Sequence, residues 1–376
     1  MTCLKIKIVG GIKFFLYFPL KIQKKLNIPF GELVKITLKK KDKTHKILTK
    51  YNYNITLKKE VIKKLDLSKG DIIDVLLEKP PLTKRPLFPF FRHKADLLFF
   101  LPERNKKGSN IYFETELIGS EEVIRIESIH QRGSSSQIVL RRYLDPKLFG
   151  LFLGQMQAEG TKTNHDALEF CNKSLFELKD FINFLDYLGL SKDKLCVKMD
   201  YHIKFKKDLD EISKNFEKVL GIKINYFSGS DKNGGGYGFK IIVRSTILSE
   251  LFLNALVNMR NYLLTLDFSG VIRLFFESYL AKILSGDGSF ELTSKKRKKI
   301  QSRLTIADGN LDYLNHYKIL LEKFGFHPRI YPRFQFIRAL CNLEQAKKLL
   351  EISAFDNNPN QKKILFFIEN NEASAR

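Results

Sequence analysis

Apolar and polar residues alternate in two different rhythms along this chain. Before about residue 145 the apolar positions recur mostly at every second residue, as in DIIDVLL at 71–77, which is the period of a half-buried β-strand. From residue 145 onward, segments with apolar residues three or four positions apart alternate with short strand-like runs, which indicates amphipathic helices between strands. We therefore predict an α+β protein whose N-terminal part is mostly β.

The elements predicted after residue 145 fall into two successive sets. In the first we predict a helix from the Asp145-Pro146 cap, strands at 168–171, 196–205 and 239–244, and helices at 175–188, 209–220 and 247–259. In the second we predict a helix at 268–286, strands around Phe290 and Leu304, a helix at 311–324, strands within 329–338 and closing helices up to 367.

The N-terminal part contains an internal repeat, because residues 15–38 align with residues 54–77 at an offset of 39 positions. Each copy predicts a strand, a short amphipathic helix, a glycine turn at Gly31 or Gly70, and an alternating strand. One copy is too small to bury its apolar face, so we expect the two copies to pack together. The pattern resembles the AbrB-type swapped-hairpin domain, a family that includes DNA-binding regulators and antitoxins. The alternative is a small β-barrel that serves assembly or packing and has a solvated lysine face.

Composition and the positions of proline and glycine predict five segments. They are a tandem AbrB-like domain at 1–79, a proline-rich linker at 80–94, a β-rich connecting segment at 95–144, a first repeat at 145–267 and a second repeat at 268–376. We assign no function to the connecting segment.

The charge of the chain is strongly unbalanced, with a formal net charge of +24 over 376 residues and a pI near 9.7. A surplus of this size favours a polyanionic partner, above all nucleic acid, over a merely basic surface. The four cysteines are scattered without metal-ligand spacing, and no segment has the length of a membrane span or the layout of a signal peptide. We expect an intracellular protein without a membrane partner. Its AT-rich coding character favours an archaeal cytoplasm or, for an intron-encoded eukaryotic protein, an organelle.

Two short motifs carry the candidate chemistry: FLGQMQAEG at 152–160 and LAKILSGDG at 280–288. Each is an apolar helix pattern that ends in a small residue, a carboxylate (Glu159 or Asp287) and a glycine. An anion at a helix C-terminus is disfavoured by the macrodipole, so its occurrence at two equivalent places indicates a shared cation. Small residues at four-residue spacing would let the two motif helices approach closely. The expected interface residues are Gly150, Gly154, Ala158, Ala281 and Gly286.

These motifs, their spacing and the order of the elements resemble the LAGLIDADG homing endonucleases in their single-chain, two-motif form. The resemblance implies two pseudo-symmetric αββαββα halves, each with a four-stranded sheet that reads bases in the major groove of double-stranded DNA. It also implies a monomer with internal pseudo-two-fold symmetry. Glu159 and Asp287 would then be the catalytic pair that binds Mg²⁺, or another divalent cation such as Mn²⁺, and cleaves both strands at a specific site.

The sequence departs from the family pattern at Lys282, where glycine is expected, and at Gln157 and Ser285, where many relatives have aspartate. We expect the Lys282 stem to border the helix crossing and its ammonium to reach solvent or a DNA phosphate. These departures leave open a catalytically inactive DNA-binding regulator or an RNA maturase on the same scaffold. A further alternative is a structural nucleic-acid-binding protein whose charges are only solvated.

Several basic residues are expected to assist at the DNA. The cluster of Lys295, Lys296, Arg297, Lys298 and Lys299 falls at a predicted hairpin tip, where phosphates are the natural partners. Lys162 and Arg303 are also expected to contact DNA. Lys363 resembles the basic position that flanks the active site in relatives, which implies a catalytic role in offsetting transition-state charge.

Overall fold

The computed structural model describes residues 2–10, 13–18, 33–51, 54–78, 85–106, 108, 110–129, 135–231, 236–265, 268–294, 300–356 and 358–373. It is an α+β structure, as predicted. Contacts divide the chain into two compact units. The first consists of Met1–Lys84, Glu103–Glu114 and Arg125–Ile138, and the second of Arg85–Pro102, Thr115–Ile124 and Val139–Arg376.

The two units do not follow the predicted linker and connecting segment. The second unit begins at Arg85. Strand β7 (Phe90–Phe91) lies within the predicted linker at 80–94 and pairs with β8 (Lys94–Asp96), which extends beyond its end. The segment at 95–144 contributes to both units. The sequence did not reveal this pairing for two reasons. Prolines near the strands suggested a linker. Strands of two and three residues are also too short to show a periodic pattern.

The first unit contains a six-stranded sheet in the order β4-β3-β6-β1-β2-β5. Its elements are β1 (Thr2–Gly10), β2 (Phe14–Tyr17), β3 (Leu33–Lys40), β4 (Lys43–Lys50), β5 (Asn54–Thr56), helix α1 (Lys59–Leu65) and β6 (Ile72–Glu78). Ile6, Leu16, Ile36, Val61 and Val75 belong to one apolar cluster that fills this unit. The predicted first-copy helix lies at 19–32, outside the described residues.

The internal repeat of the first unit appears in its strand pairing. Leu16 and Ile55 occupy equivalent positions of the two copies, and they are direct partners in the antiparallel pair β2–β5. Thr37 and Leu76 are also equivalent, and they are direct partners in the antiparallel pair β3–β6. Each of these two strand pairs therefore places equivalent residues of the two copies directly opposite each other.

Strands β9 (Asn110–Ile118), β10 (Glu121–Ile129) and β11 (Ser135–Arg141) form a sheet in the order β11-β10-β9. Strand β12 (Tyr143–Leu144) adds to β8 in the order β12-β8-β7.

The first half of the second unit begins with α2 (Pro146–Glu159), which starts at the predicted cap because the Asp145 side chain accepts a hydrogen bond from Leu148 N at 2.9 Å. Its other elements are β13 (Leu168–Asn172), α3 (Leu175–Tyr187), β14 (Leu195–His202), α4 (Leu209–Leu220), β15 (Tyr226–Ser230), β16 (Tyr237–Val243) and α5 (Thr246–Thr265). The sheet order is β13-β16-β14-β15, with β14 and β15 parallel.

The second half contains α6 (Gly270–Asp287), β17 (Gly288–Ser294), β18 (Ile300–Ala307), α7 (Leu311–Lys323), β19 (Arg329–Tyr331), β20 (Phe336–Cys341), α8 (Leu343–Glu351) and α9 (Pro359–Ala373). Its sheet order is β17-β18-β20-β19, and every neighbouring pair is antiparallel. Here the described elements follow the predicted αββαββα order.

The αββαββα order that the family resemblance implies does not hold for the described residues of the first half, whereas the helix predicted at 175–188, directly after the strand at 168–171, is present. Among its described residues a helix follows β13 at once, because the Ser174 side chain caps α3 by accepting from Glu177 N. The chain therefore leaves the sheet instead of forming a hairpin, and β16 becomes the neighbour of β13. Strand β15 was not predicted, and its most exposed side chains, Tyr226 and Phe227, lack the alternation that marks a half-buried strand. The two halves thus differ in connectivity.

Candidate active site

Helices α2 and α6 cross at very short range because glycines face backbone atoms at the crossing. An ideal Cβ on Gly150 would lie 2.3 Å from Phe275 O, and one on Gly154 would lie 2.5 Å from Tyr279 O. A Cβ on Gly286 would lie 2.6 Å from Ala158 Cβ. Ala281 is buried on α6, in the same segment. Residues larger than glycine at these positions would push the helices apart.

The two helices end in the same way. Glu159 is the last residue of α2 and Asp287 the last of α6, and each precedes a glycine with extended backbone. Gly160 N donates to Met156 O, and Gly288 N donates to Leu284 O. A Cβ on Gly160 or Gly288 would lie 2.6 or 2.4 Å from that same carbonyl oxygen. The motif therefore requires glycine after the carboxylate so that the chain can turn sharply out of the helix.

Glu159 and Asp287 are partly buried carboxylates whose pKa values are both raised. Burial raises the pKa of Asp287 to about 7, and the charges of Glu159 and Asp308 act in the same direction. Burial also raises the pKa of Glu159, and the Glu177 carboxylate adds to this effect. Nearby negative charge therefore adds to burial in disfavouring the charged form of both carboxylates.

Lys162 is the cation that lowers the pKa of both carboxylates. Burial lowers the pKa of the Lys162 ammonium, whereas Asp308, Asp287 and Glu159 act to keep it charged. Its Nζ also lies 5.1 Å from the centre of the Tyr313 ring. Sequence reasoning placed Lys162 at the DNA only. Its proximity to the carboxylates, three residues after Glu159, follows from the sharp turn at Gly160.

A buried hydrogen-bonded chain connects the two halves beside this group. Gln157 Nε2 donates to the Tyr317 hydroxyl at 3.0 Å, and that hydroxyl donates to Asp308 Oδ2 at 3.2 Å. Gln157 comes from α2, and Tyr317 comes from α7 of the second half. The motif departure at Gln157 therefore has a structural role, since its amide satisfies a buried tyrosine. Sequence reasoning missed Asp308 and Tyr317 because no motif includes them.

The expectation that the Lys282 ammonium reaches solvent or DNA is wrong. Lys282 Nζ donates to both carboxylate oxygens of Glu177 at 2.9 Å and to Asp180 Oδ2 at 3.0 Å, and its side chain is only 10% exposed. Both carboxylates belong to α3. The lysine points to this helix because an ion pair offsets the loss of hydration that a buried ammonium suffers.

Arg303 lies in β18 on the outer face of the second sheet, opposite the buried Leu304 and Ile306. Two further arginines share this face. Arg338 Nε donates to Thr305 Oγ1 at 3.2 Å, and its guanidinium lies 4.6 Å from the centre of the Phe336 ring. Arg329 is the direct β19 partner of Arg338. These contacts hold the Arg338 guanidinium in a fixed place.

The outer face of the first sheet has a different character. Lys240 pairs with Glu169 at 3.3 Å, and Lys198 pairs with Asp200 at 2.7 Å. Lys240 and Lys198 each form an ion pair with an acid of the same face. The second sheet presents three arginines, and Glu291 Oε2 lies 3.9 Å from Arg338 Nη2. The two faces are chemically unequal.

The predicted catalytic lysine, Lys363, is not placed at the carboxylates. Lys363 lies on an exposed part of α9, where its Nζ donates to Asn360 Oδ1 at 2.9 Å. It is not among the charges that shift the pKa of Glu159 or Asp287. The basic cluster at 295–299 lies outside the described residues.

The carboxylate pair has the donor chemistry of a Mg²⁺ site. Among the described residues, no group of three or more His, Cys, Asp or Glu side chains could hold a metal. Mg²⁺ commonly uses only one or two protein carboxylates and completes its shell with water and substrate phosphate oxygens. Glu159 and Asp287 could supply two such carboxylate ligands.

A comparison with protein families finds a LAGLIDADG-like domain at residues 277–352. This segment extends from the last three turns of α6, which include Asp287, to the end of α8. No curated protein matches the chain significantly. In the part of the chain that the structure describes, no helix combines the length and apolar character needed to cross a membrane.

Proposed function

We propose that this chain is a site-specific double-strand DNA endonuclease of the two-motif LAGLIDADG type. The observation that carries the proposal is the crossing of α2 and α6, which end at Glu159 and Asp287 with the same glycine turn. The LAGLIDADG-like domain covers one of these motifs, and a domain of this kind suggests a homing endonuclease or a related maturase. The net charge of +24 supports a nucleic acid partner.

Phosphodiester hydrolysis adds a water oxygen to phosphorus, breaks one P–O ester bond and delivers a proton to the leaving oxygen. Glu159 and Asp287 would hold Mg²⁺ or Mn²⁺, which, when bound, supplies Lewis acidity and neutralises developing negative charge. Lys162 would add a second positive charge beside the pair, and Asp308 would orient it. Lys363, on the exposed side of α9, would act only on DNA that reaches that helix.

The two outer sheet faces would read the bases of the target. Because the second face presents Arg303, Arg329 and Arg338 and the first presents matched lysine–acid pairs, we expect an asymmetric target site. The first unit would act as a tandem AbrB-like domain that contacts phosphates. The pairing of equivalent residues in its strands and its nineteen lysines against seven acidic residues in 1–79 support that role.

The test begins with selection of bound duplexes from a randomised DNA library, followed by a cleavage assay with Mg²⁺ on the selected sequence. We expect the wild type to cut both strands. Glu159→Gln and Asp287→Asn should each abolish cleavage and keep DNA affinity nearly unchanged, because affinity comes from the basic faces. Asp210→Asn, on the exposed surface of α4, is the matched control and should cut normally.

Tight and specific binding without cleavage by the wild type would instead identify a DNA-binding regulator. Cleavage by either carboxylate variant at the wild-type rate would show that the site is assigned to the wrong residues. Specific binding of structured RNA in place of duplex DNA would identify a maturase.

A further inference from the structure

Lys282 occupies the motif position that is equivalent to Gly154 on the other helix, and the two positions meet at the crossing. An ideal Cβ on Gly154 would lie 2.8 Å from Lys282 Cβ. Because Gly154 has no side chain, the aliphatic part of Lys282 can pack closely against α2 at this position. One motif helix supplies the space, and the other supplies the long side chain.

The lysine ends in a half-buried ionic network on α3. Its Nζ contacts both oxygens of Glu177 at 2.9 Å and Asp180 Oδ2 at 3.0 Å. Gln155 Nε2 donates to Glu177 Oε2 at 2.7 Å, so the Glu177 carboxylate is held from two sides. The exposed fractions of the Lys282 and Glu177 side chains are 10% and 18%. Such a pair is strongly coupled because water screens it weakly.

This network borders only one of the two motif carboxylates. Glu159, Glu177, Gln155 and Lys282 line the same polar cavity. Glu177 is among the charges that raise the pKa of Glu159, whereas those that act on Asp287 are Lys162, Glu159 and Asp308. An unneutralised Glu177 would therefore add negative charge to a cavity that Glu159 and Asp356 also line.

We propose that Lys282 is a positioning residue, the internal counter-ion that neutralises Glu177 so that Glu159 can work beside a buried carboxylate. The departure from the motif at Lys282 would then be part of a working active site and would not indicate lost catalytic activity. The inference rests on the proposed function, because its main readout is DNA cleavage.

The central variant is Lys282→Met, which keeps a stem of similar shape and removes the charge. We expect kcat to fall by about tenfold or more, equivalent to ~1.4 kcal/mol in the barrier, while the Kd for target DNA stays within about twofold. Lys282→Arg should retain most of kcat, since the positive charge remains. Arg273→Met is the matched control, because Arg273 forms an exposed ion pair with Glu277 on the same helix.

The double variant Lys282→Met/Glu177→Gln separates electrostatics from simple clamping. If Lys282 acts as a counter-ion, removal of both charges should restore kcat to within about threefold of the wild type. If Lys282 acts only as a clamp, the double variant should be as slow as the single one. Thermal unfolding of each variant shows whether a slower rate follows a lower stability.

Glu177→Gln alone keeps the test decisive if Lys282→Met does not fold, because Lys282 then retains Asp180. We expect its kcat to stay within about twofold of the wild type. A large loss of kcat in Glu177→Gln, or no recovery in the double variant, would overturn the inference while the proposed function stands. A wild type that cuts no selected duplex would overturn the proposed function and, with it, this inference.

Discussion

An ideal Cβ on Gly154 would lie 2.5 Å from the carbonyl oxygen of Tyr279, a distance that real Cβ atoms essentially never show. The oxygen belongs to the backbone of α6, so it cannot move without the helix. We predict that Gly154→Ala lowers the free energy of unfolding by about 1–3 kcal/mol through overpacking and reduces cleavage strongly. Chemical denaturation and a cleavage assay measure the two effects.

Gly309→Ala is the matched control, since a Cβ at Gly309 would meet nothing within 4 Å. Alanine also favours a helix over glycine by about 0.5–1 kcal/mol, so propensity alone would stabilise the Gly154 variant. An unchanged or raised stability of Gly154→Ala with full cleavage would show that the helices do not need their close approach.

The carboxylate placement could be predicted because it depends on local pattern. Small residues and an acid followed by glycine determine where α2 and α6 end, and the structure ends both helices at Glu159 and Asp287. The cap at Asp145 and the helix Leu209–Leu220 also agree with the sequence prediction. Such features require only residues within one or two turns of each other.

The remaining parts depend on contacts between distant residues, which a single sequence does not reveal. Lys282 meets Glu177 across 105 positions, and Gln157 meets Tyr317 across 160 positions. The β13–β16 pairing likewise joins strands that are separated by two helices and two strands. Each of these pairings is determined by how elements pack, so no local period in the sequence indicates it.

We predict that metal-free Asp287→Asn is more stable than the wild type above pH 7. The pKa of Asp287 is raised from 3.8 to about 7 on folding, so its folded-state stability is fully present below pH 4 and is lost as the pH rises through 7. Asparagine avoids this loss. After a discount for solvent screening we expect an advantage of about 1–2 kcal/mol at pH 8.

Thermal unfolding of both proteins at pH 4 and pH 8, with and without Mg²⁺, measures this difference. Mg²⁺ should raise the Tm of the wild type at pH 8 more than that of Asp287→Asn, because the variant lacks one carboxylate ligand. Equal stability of the two proteins at both pH values would contradict the raised pKa. An equal Mg²⁺ effect on both would remove Asp287 from the metal site.

We predict that Arg338 determines one base pair of the target. Thr305 and the Phe336 ring fix its guanidinium on the outer sheet face, and a fixed guanidinium suits the O6 and N7 acceptors of guanine. Arg338→Ala should cost about 1–3 kcal/mol at one position of the site and relax the preference there. Binding selection from a randomised library checks this, with Arg273→Ala on α6 as control. A uniform loss at every position would instead assign Arg338 to phosphate contact.

The last prediction concerns the first unit. Lys5 and Lys7 are exposed on β1, where they alternate with the buried Ile6 and Ile8. Lys63 and Lys64 are exposed in the last turn of α1. If the unit binds phosphates, changing all four to glutamine should lower the slope of log K against log salt by roughly 0.9 for each phosphate that is no longer neutralised. The apolar core is untouched, so folding should persist, whereas a deletion of 1–79 would remove most of that core. The control is Lys179→Gln/Lys323→Gln on the exposed surfaces of α3 and α7. An unchanged slope in the fourfold variant would mean that the first unit serves assembly and does not touch DNA.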